Sequence, residues 1–168
     1  MNLFEDMELA MSHISDLGSF LTVKSADGRV NTMTTGWGFI GRCLRKPCFI
    51  TMVRNHRYTH DLLETADSYT ISIPFGNKME QALKFCGTNS GRGCNKASLA
   101  GIEYMPAREV SSPVVAGCDM YYECKIEYVE TMNPGKFPAD ISKSLYNEKD
   151  DYHDMFLGEI VTVYKSEK

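Results

Sequence analysis

The sequence predicts a mainly β protein, an antiparallel β-barrel decorated by short helices. Three observations carry that prediction. Strand-like runs, some alternating and some continuously apolar, recur from residue 19 to residue 164; helical spacing appears only in short stretches between them; and neither an internal repeat nor a linker interrupts the chain. With 168 residues, against a soft prior of about 150 per domain, a single domain spanning 1–168 is expected.

Phe4, Met7 and Met11 fall at near-helical spacing among polar neighbours and predict a short helix over 3–13. Residues 19–24 read as a strand, and Asp27 with Gly28 supplies the tight turn that returns the chain as a second strand from Val30. Pro47 opens a nearly continuous apolar run to Val53, the pattern of a strand buried on both faces. Thr59 is placed to cap a helix through Leu62 and Leu63, with Asp61 in the first turn, where the helix dipole favours negative charge. Tyr69, Ile71 and Ile73 alternate with Thr70 and Ser72 until Pro74 stops the strand. Asn77 and Glu80 have the spacing of a capping box before a helix carrying Leu83 and Phe85, with Gly87 as its C-cap, and residues 96–100 form one further helical turn or two, closed by Gly101.

The second half is simpler. Met120, Tyr122, Cys124, Ile126 and Tyr128 share one face and Glu123, Lys125 and Glu127 the other, which predicts a half-buried antiparallel strand over 120–129. Residues 132–151 are polar, contain Pro134 and Pro138, and read as a long excursion of the kind that carries function or is covered by a partner. Residues 156–164 close the chain as a strand.

Charge and composition narrow the classes. Lys and Arg number 18 against 22 Asp and Glu, so the net charge of −4 argues against a broad basic nucleic-acid surface while leaving room for a local cationic pocket. No run approaches the roughly 18 consecutive apolar residues of a membrane span, and the first ten residues carry three acids and no basic stretch. A soluble, cytoplasmic protein is therefore expected. The six cysteines form no CxxC pair and, with only four histidines, match no zinc framework, so no metal site is expected and the thiols read as free and mostly structural.

Four constellations could carry chemistry. Arg54, Arg57, Tyr58 and Thr59 lie just before a predicted helix, and two arginine forks with a hydroxyl suit a phosphate, although pairing with surface acids is the alternative. Residues 86–96 contain Cys86, Gly87, Thr88, Ser90, Gly91, Arg92 and Lys96: glycines that admit close approach, hydroxyls and positive charge, or simply a flexible loop. Asn31, Thr32, Met33, Thr34 and Thr35, followed by Gly36, Trp37 and Gly38, could hydrogen-bond the edge of a planar heterocycle beside the only tryptophan, or could be an ordinary strand. Tyr152, His153 and Asp154 precede Gly158, Glu159 and Ile160; a lone His is more often structural, and Glu159, on an apolar face, should have a structural partner.

Taken in order and at compatible spacing, these four motifs resemble the flavin reductase and flavoredoxin family over about residues 16–165. The resemblance implies an FMN-binding split β-barrel, a Greek-key-like antiparallel barrel, in a homodimer whose two subunits border the flavin. Residues 31–35 and Trp37 would then meet the ring; Arg54, Arg57, Tyr58 and Thr59 would face the phosphate; Cys86, Gly87, Thr88, Ser90, Gly91 and Lys96 would line the phosphate or ribityl side. His153 would stand at the open face where a nicotinamide or acceptor approaches. NADH or NADPH is the implied donor, with a redox protein as a possible acceptor. Arg42, Cys43, Arg45 and Lys46 depart from the apolar stretch expected after Gly41. Other classes remain to be separated: a non-catalytic FMN electron carrier, a thiol or metal redox sensor using Cys43, Cys48 or Cys86, and an oligonucleotide-binding barrel, the last disfavoured by the net charge.

Overall fold

In the computed structural model, residues 4, 6–146 and 151–166 are described. Seven strands form one antiparallel sheet: β1 (Ser19–Lys24), β2 (Val30–Thr35), β3 (Gly38–Cys43), β4 (Lys46–Arg54), β5 (Ser68–Ile73), β8 (Met120–Thr131) and β9 (His153–Lys165), in the order β2-β1-β5-β8-β9-β4-β3. The predicted barrel is not closed. β2 and β3 are the two ends of the sheet, and instead of a ladder between them the Trp37 carbonyl accepts from the Met52 N–H at 3.4 Å and the Thr35 hydroxyl at 3.3 Å. Gly36 and Trp37 break the extended backbone at the point where pairing would have to continue.

Two short strands, β6 (Tyr104–Met105) and β7 (Val114–Val115), pair separately. Around the sheet lie α1 (Met7–Asp16), α2 (Tyr58–Leu63), α3 (Glu80–Thr88), α4 (Lys96–Ala100) and α5 (Ala139–Leu145), with a 3-10 turn at Pro134–Lys136. The main core joins β1, β5, β8 and β9 through Leu21, Ile71, Tyr122 and Ile160; a second core, with Phe20, Leu83, Cys86 and Tyr121, lies between the sheet and α3.

That second core explains the largest departure from the predicted pattern. β8 is not half-buried along its length: Met120 to Cys124 are covered on both sides, because Tyr122 and Cys124 enter the main core while Tyr121 enters the second. Glu123, predicted to face water, is fully buried, and its carboxylate accepts from the Arg108 and Glu109 N–H groups at 2.8 and 2.7 Å and from the Tyr164 hydroxyl. Those bonds offset the cost of burying a charge. Beyond the register shift at Ile126 and Tyr128 the strand runs out exposed to Thr131.

Helix boundaries also move. The predicted first helix starts at Leu3, outside the described residues; α1 runs from Met7 and buries Ala10 and Ile14, leaving Phe4 and Met7 exposed. Thr59 does not cap α2 but lies within it, buried, accepting from the Asn31 side chain at 2.8 Å. The capping box is absent: Asn77 meets Glu80 through its backbone carbonyl, and Met79 is the N-cap of α3 with no side-chain bond. Gly87 is inside α3, with Asn89 as its C-cap. Residues 132–146 of the polar excursion carry the 3-10 turn and α5, residues 147–150 lie outside the described residues, and the closing strand starts three residues earlier than predicted. Glu159 has the expected partner, the Lys46 ammonium at 2.6 Å.

Candidate functional site

Where the ends of the sheet approach each other, the strand β2, the Gly36–Trp37 bridge and the ends of β4 and β9 enclose a cleft of about 190 Å³. Gly38 is required here, since a Cβ would stand 2.7 Å from the Ile50 carbonyl oxygen. Met33, Thr34, Thr35 and Trp37 line one wall; Met52, Arg54, Arg57 and His153 line the other. The Thr34 hydroxyl donates to the Leu83 carbonyl at 2.5 Å and ties β2 to α3. Gly87 permits that close packing, because a Cβ on it would already touch Thr34.

The β4–β9 side of the cleft is held by paired groups. Arg54 forms an ion pair with Asp151 and donates to the Leu145 carbonyl at 2.9 Å, while His56 Nδ1 meets the other Asp151 oxygen at 2.6 Å. Burial acts to raise the Asp151 carboxyl, but its hydrogen bonds with His56 and Arg54 win and hold it below the usual carboxylate range. Register places Arg54 beside His153, whose Nδ1 lies 2.9 Å from the Tyr146 hydroxyl. The His153 ring is only 7% exposed and stacks on Trp37 with centroids 4.7 Å apart. Burial first, and then the Arg54 charge, push it down to about 4, so the ring is neutral near pH 7.

A second cavity, of about 350 Å³, opens between the β1–β2 turn and the loop before α4. Asn31, Tyr58, Gly91 and Lys96 line it, with Arg29, Cys94 and Tyr104. Gly91 is needed, because a Cβ would collide with Asn31 Oδ1. Most cations here are engaged: Arg29 with Asp27 at 2.7 Å, Arg92 with Asp61 at 2.8 Å, and Arg57 with the Gly87 carbonyl at 3.1 Å. Lys96 differs. Its side chain is buried, with 6% of the residue exposed, and it has no hydrogen-bond or ion-pair partner among the described residues. Burial holds its ammonium below the usual range; Cys86 acts against that and Arg57 reinforces it. Burial of the stem strips part of the water from this ammonium, and an anion in the cavity would supply the counter-charge that the described residues do not.

The structure thus gathers Met33, Thr34, Thr35, Trp37, Arg54, Arg57 and His153 around the first cleft, and Asn31, Tyr58, Gly91 and Lys96 around the second cavity. It does not bring all the expected residues to a cavity. Thr32 is fully buried in a hydroxyl chain, 2.8 Å from Thr22 and 2.9 Å from Tyr104. Cys86 is in the second core, Thr59 supports Asn31 from beneath, and Thr88 bonds back to the Lys84 carbonyl. Ser90 is exposed and accepts from the Arg92 N–H. Sequence reasoning missed Arg29, Met52, Tyr104, Tyr146 and Asp151. Met52 was hidden in an apolar strand and Arg29 in a turn; Tyr146 and Asp151 lie in the polar excursion, where no periodicity marks them. All six cysteines are free, and Cys48 meets the Cys43 carbonyl, not its thiol. Among the described residues no cluster of His, Cys, Asp or Glu could hold a metal ion, and no helix is long and apolar enough to cross a membrane.

Comparison with known proteins gives this arrangement its setting. The family model described as "Flavin reductase like domain" matches residues 11–168. The chain belongs to the flavin reductase-like family. Among solved structures, flavoredoxin of Desulfovibrio vulgaris (Miyazaki F) is similar at a TM-score of 0.69 and 23% identity, covering 89% of this chain and 69% of its own. The FMN-binding protein of Thermus thermophilus, solved with p-hydroxybenzaldehyde, is similar at 0.67 and 25%, with 90% and 72% covered. Nitrilotriacetate monooxygenase component B from Bacillus cereus shares the fold at 0.70 with 15% identity, covering 97% and 77%. No curated protein sequence matches significantly. This member of the flavin reductase-like family departs from its predicted outline in leaving the sheet open and in covering the first half of β8 on both faces.

Proposed function

We propose that the chain is an FMN-binding oxidoreductase that takes electrons from NADH or NADPH and passes them through bound flavin to an acceptor. The observation that carries this reading is Lys96: a lysine buried along its stem, with no hydrogen-bond or ion-pair partner among the described residues, lining a cavity bordered by the start of β2 in a flavin reductase-like chain. The donor set suits a phosphorylated planar ring. Lys96 and Arg57 would hold the phosphate, Asn31 and Tyr58 the chain that follows it, and Met33, Thr34, Thr35 and Trp37 the ring. When bound, the flavin supplies the hydride acceptance and electron transfer; the protein supplies position and electrostatics.

The chain's own residues then have definable tasks. Thr34 and Asn31 are fixed in place by Leu83 and Thr59, so their polar edges are set before the ring arrives. Neutral His153 gives no proton at pH 7; it positions Trp37 by stacking, and Tyr146 positions His153. The Arg54–Asp151 pair and the bond from Arg54 to the Leu145 carbonyl tie the segment before β9 and the end of α5 to the end of β4, and so fix that side of the cleft.

A second copy of the chain fits the same reading. Phe39, Ile50, Leu157 and Tyr128 stand in one cross-strand row, and Phe39 and Tyr128 are 58% and 52% exposed at its ends. Covering that row would remove apolar surface from water beside the cleft. Light scattering reads the mass directly, with a dimer expected and Phe39→Asp shifting it to monomer. A reducing cytoplasm suits the six free thiols.

The test is an absorbance spectrum with FMN, followed by anaerobic addition of NADH and then NADPH. Flavin bands that bleach with one nucleotide support the reductase. Bands that persist until dithionite is added would make the protein a carrier fed by another protein. A chain that takes up no FMN removes the reading altogether.

A further inference from the structure

The cavity that holds Lys96 contains a reactive group the flavin reading does not use. Cys94 is the one exposed cysteine; Cys48, Cys86, Cys118 and Cys124 are buried and Cys43 is half-buried. Its Sγ donates weakly to the Ser90 carbonyl at 3.2 Å, and it lines the same cavity as Lys96. Cys94 is exposed to solvent, so a reagent can reach the thiol. The buried thiols are a contrast: burial pushes Cys86, Cys118 and Cys124 up, out of the range in which a thiolate forms readily.

Two independent features therefore meet. One is a nucleophile at the mouth of the cavity. The other is Lys96, a residue more than nine-tenths buried and without a hydrogen-bond or ion-pair partner among the described residues, that lines it. Lys96 and Cys94 are close enough to interact electrostatically. An anionic reagent entering the cavity would satisfy the ammonium and bring its own reactive bond to the thiol.

We propose that Cys94 is a modification site for small anionic disulfides, which Lys96 draws into the cavity and which then occupy it as a mixed disulfide. The exchange is balanced. The Cys94 thiol loses its proton to solvent and its thiolate attacks one sulfur of the disulfide; the new Cys94–S–S bond forms as the old S–S bond breaks. The other half leaves as a thiolate, so Cys94 is oxidised and the reagent reduced. The carboxylate of the attached half remains beside Lys96, where a phosphate would otherwise sit. A thiol reductant reverses the step. The proposal rests on the cavity being an anion site, as the flavin reading has it, but not on that anion being a flavin phosphate.

The experiment compares rates of adduct formation on Cys94, read by peptide mass spectrometry, for the full reduced chain with anionic 3,3′-dithiodipropionate and with neutral bis(2-hydroxyethyl) disulfide. In the wild type the anionic-to-neutral rate ratio should exceed that of Lys96→Gln by about tenfold, the lower range for electrostatic guidance. Inorganic phosphate should slow the anionic reaction and leave the neutral one unchanged, a comparison that needs no variant. An equal ratio in wild type and Lys96→Gln, indifference to phosphate, or adducts on other cysteines would overturn the proposal. FMN as competitor separates the two readings. If phosphate protects Cys94 from the anionic reagent and FMN does not, this proposal holds and the flavin placement fails. If FMN protects but no charge preference exists, the placement holds and this proposal fails.

Discussion

The two cavities bordered by β2 treat charge in opposite ways. On the β4–β9 side, Arg54 and His56 share Asp151, and His153 is kept neutral between Tyr146 and Trp37. On the other side, Lys96 is buried with nothing to balance it. The first region is complete as folded: its charges hold the end of β9 and the polar excursion in place. The second leaves a cation without a partner among the described residues, and it is there that the proposed reading puts the flavin phosphate. Pairing commits the first set of charges to holding the fold, whereas the lysine of the second is left free to meet a ligand.

The comparison breaks most easily at Lys96. Lys96→Gln should weaken FMN binding by about 1.5–3 kcal/mol, the range for a hydrogen bond to a charged group, while leaving the melting temperature unchanged or higher. A variant that loses stability and keeps its affinity would make Lys96 a structural residue. Next is Asp151→Asn, which leaves Arg54 partly buried without its counter-charge. Because a quarter of the Arg54 side chain is exposed, a loss of about 1–2 kcal/mol of stability is expected in a denaturant titration, below the cost of a fully buried pair, with FMN affinity nearly unchanged.

The third prediction concerns pH. His153 in the folded chain titrates near 4, against 6.5 for an unperturbed imidazole. Between those values the unfolded chain binds the extra proton and the folded chain does not, so stability should fall as pH drops from about 6.5 to 4 and be level above that window. His153→Gln should flatten that part of the curve; an unchanged slope assigns it to other groups. The smallest effect belongs to Tyr146→Phe. It removes one neutral hydrogen bond, worth about 0.5–1.5 kcal/mol, and its check is increased mobility of Trp37 in fluorescence anisotropy.

Much of the sheet was legible because its strands carry their own pattern: the β1–β2 hairpin around Asp27 and Gly28, the continuous run in β4 and the alternation in β5 all form where predicted. β8 was misread because alternation assumes one buried face, and its first half has two. The caps failed for a related reason. Thr59 could satisfy its own helix, yet it instead supports Asn31, 28 residues earlier in sequence. At the candidate site, Gly91 and Lys96 of the glycine-rich cationic loop do line a cavity, because the loop's glycine admits Asn31 and its lysine begins α4 there. The commitment of Arg54 to Asp151 spans 97 residues and leaves no trace in local spacing. The same holds for Cys86, whose motif looked like part of a loop and is in fact a helical residue facing the second core.

The most direct test of the account is a fluorescence titration of the full chain with FMN and, in parallel, with riboflavin. The two share the ring and ribityl chain and differ in the phosphate that the Lys96 cavity is assigned to hold. FMN should bind at least about tenfold more tightly, a difference of about 1.4 kcal/mol, and the gap should close in Lys96→Gln. Equal affinity for the two ligands, or binding of neither, would contradict the account.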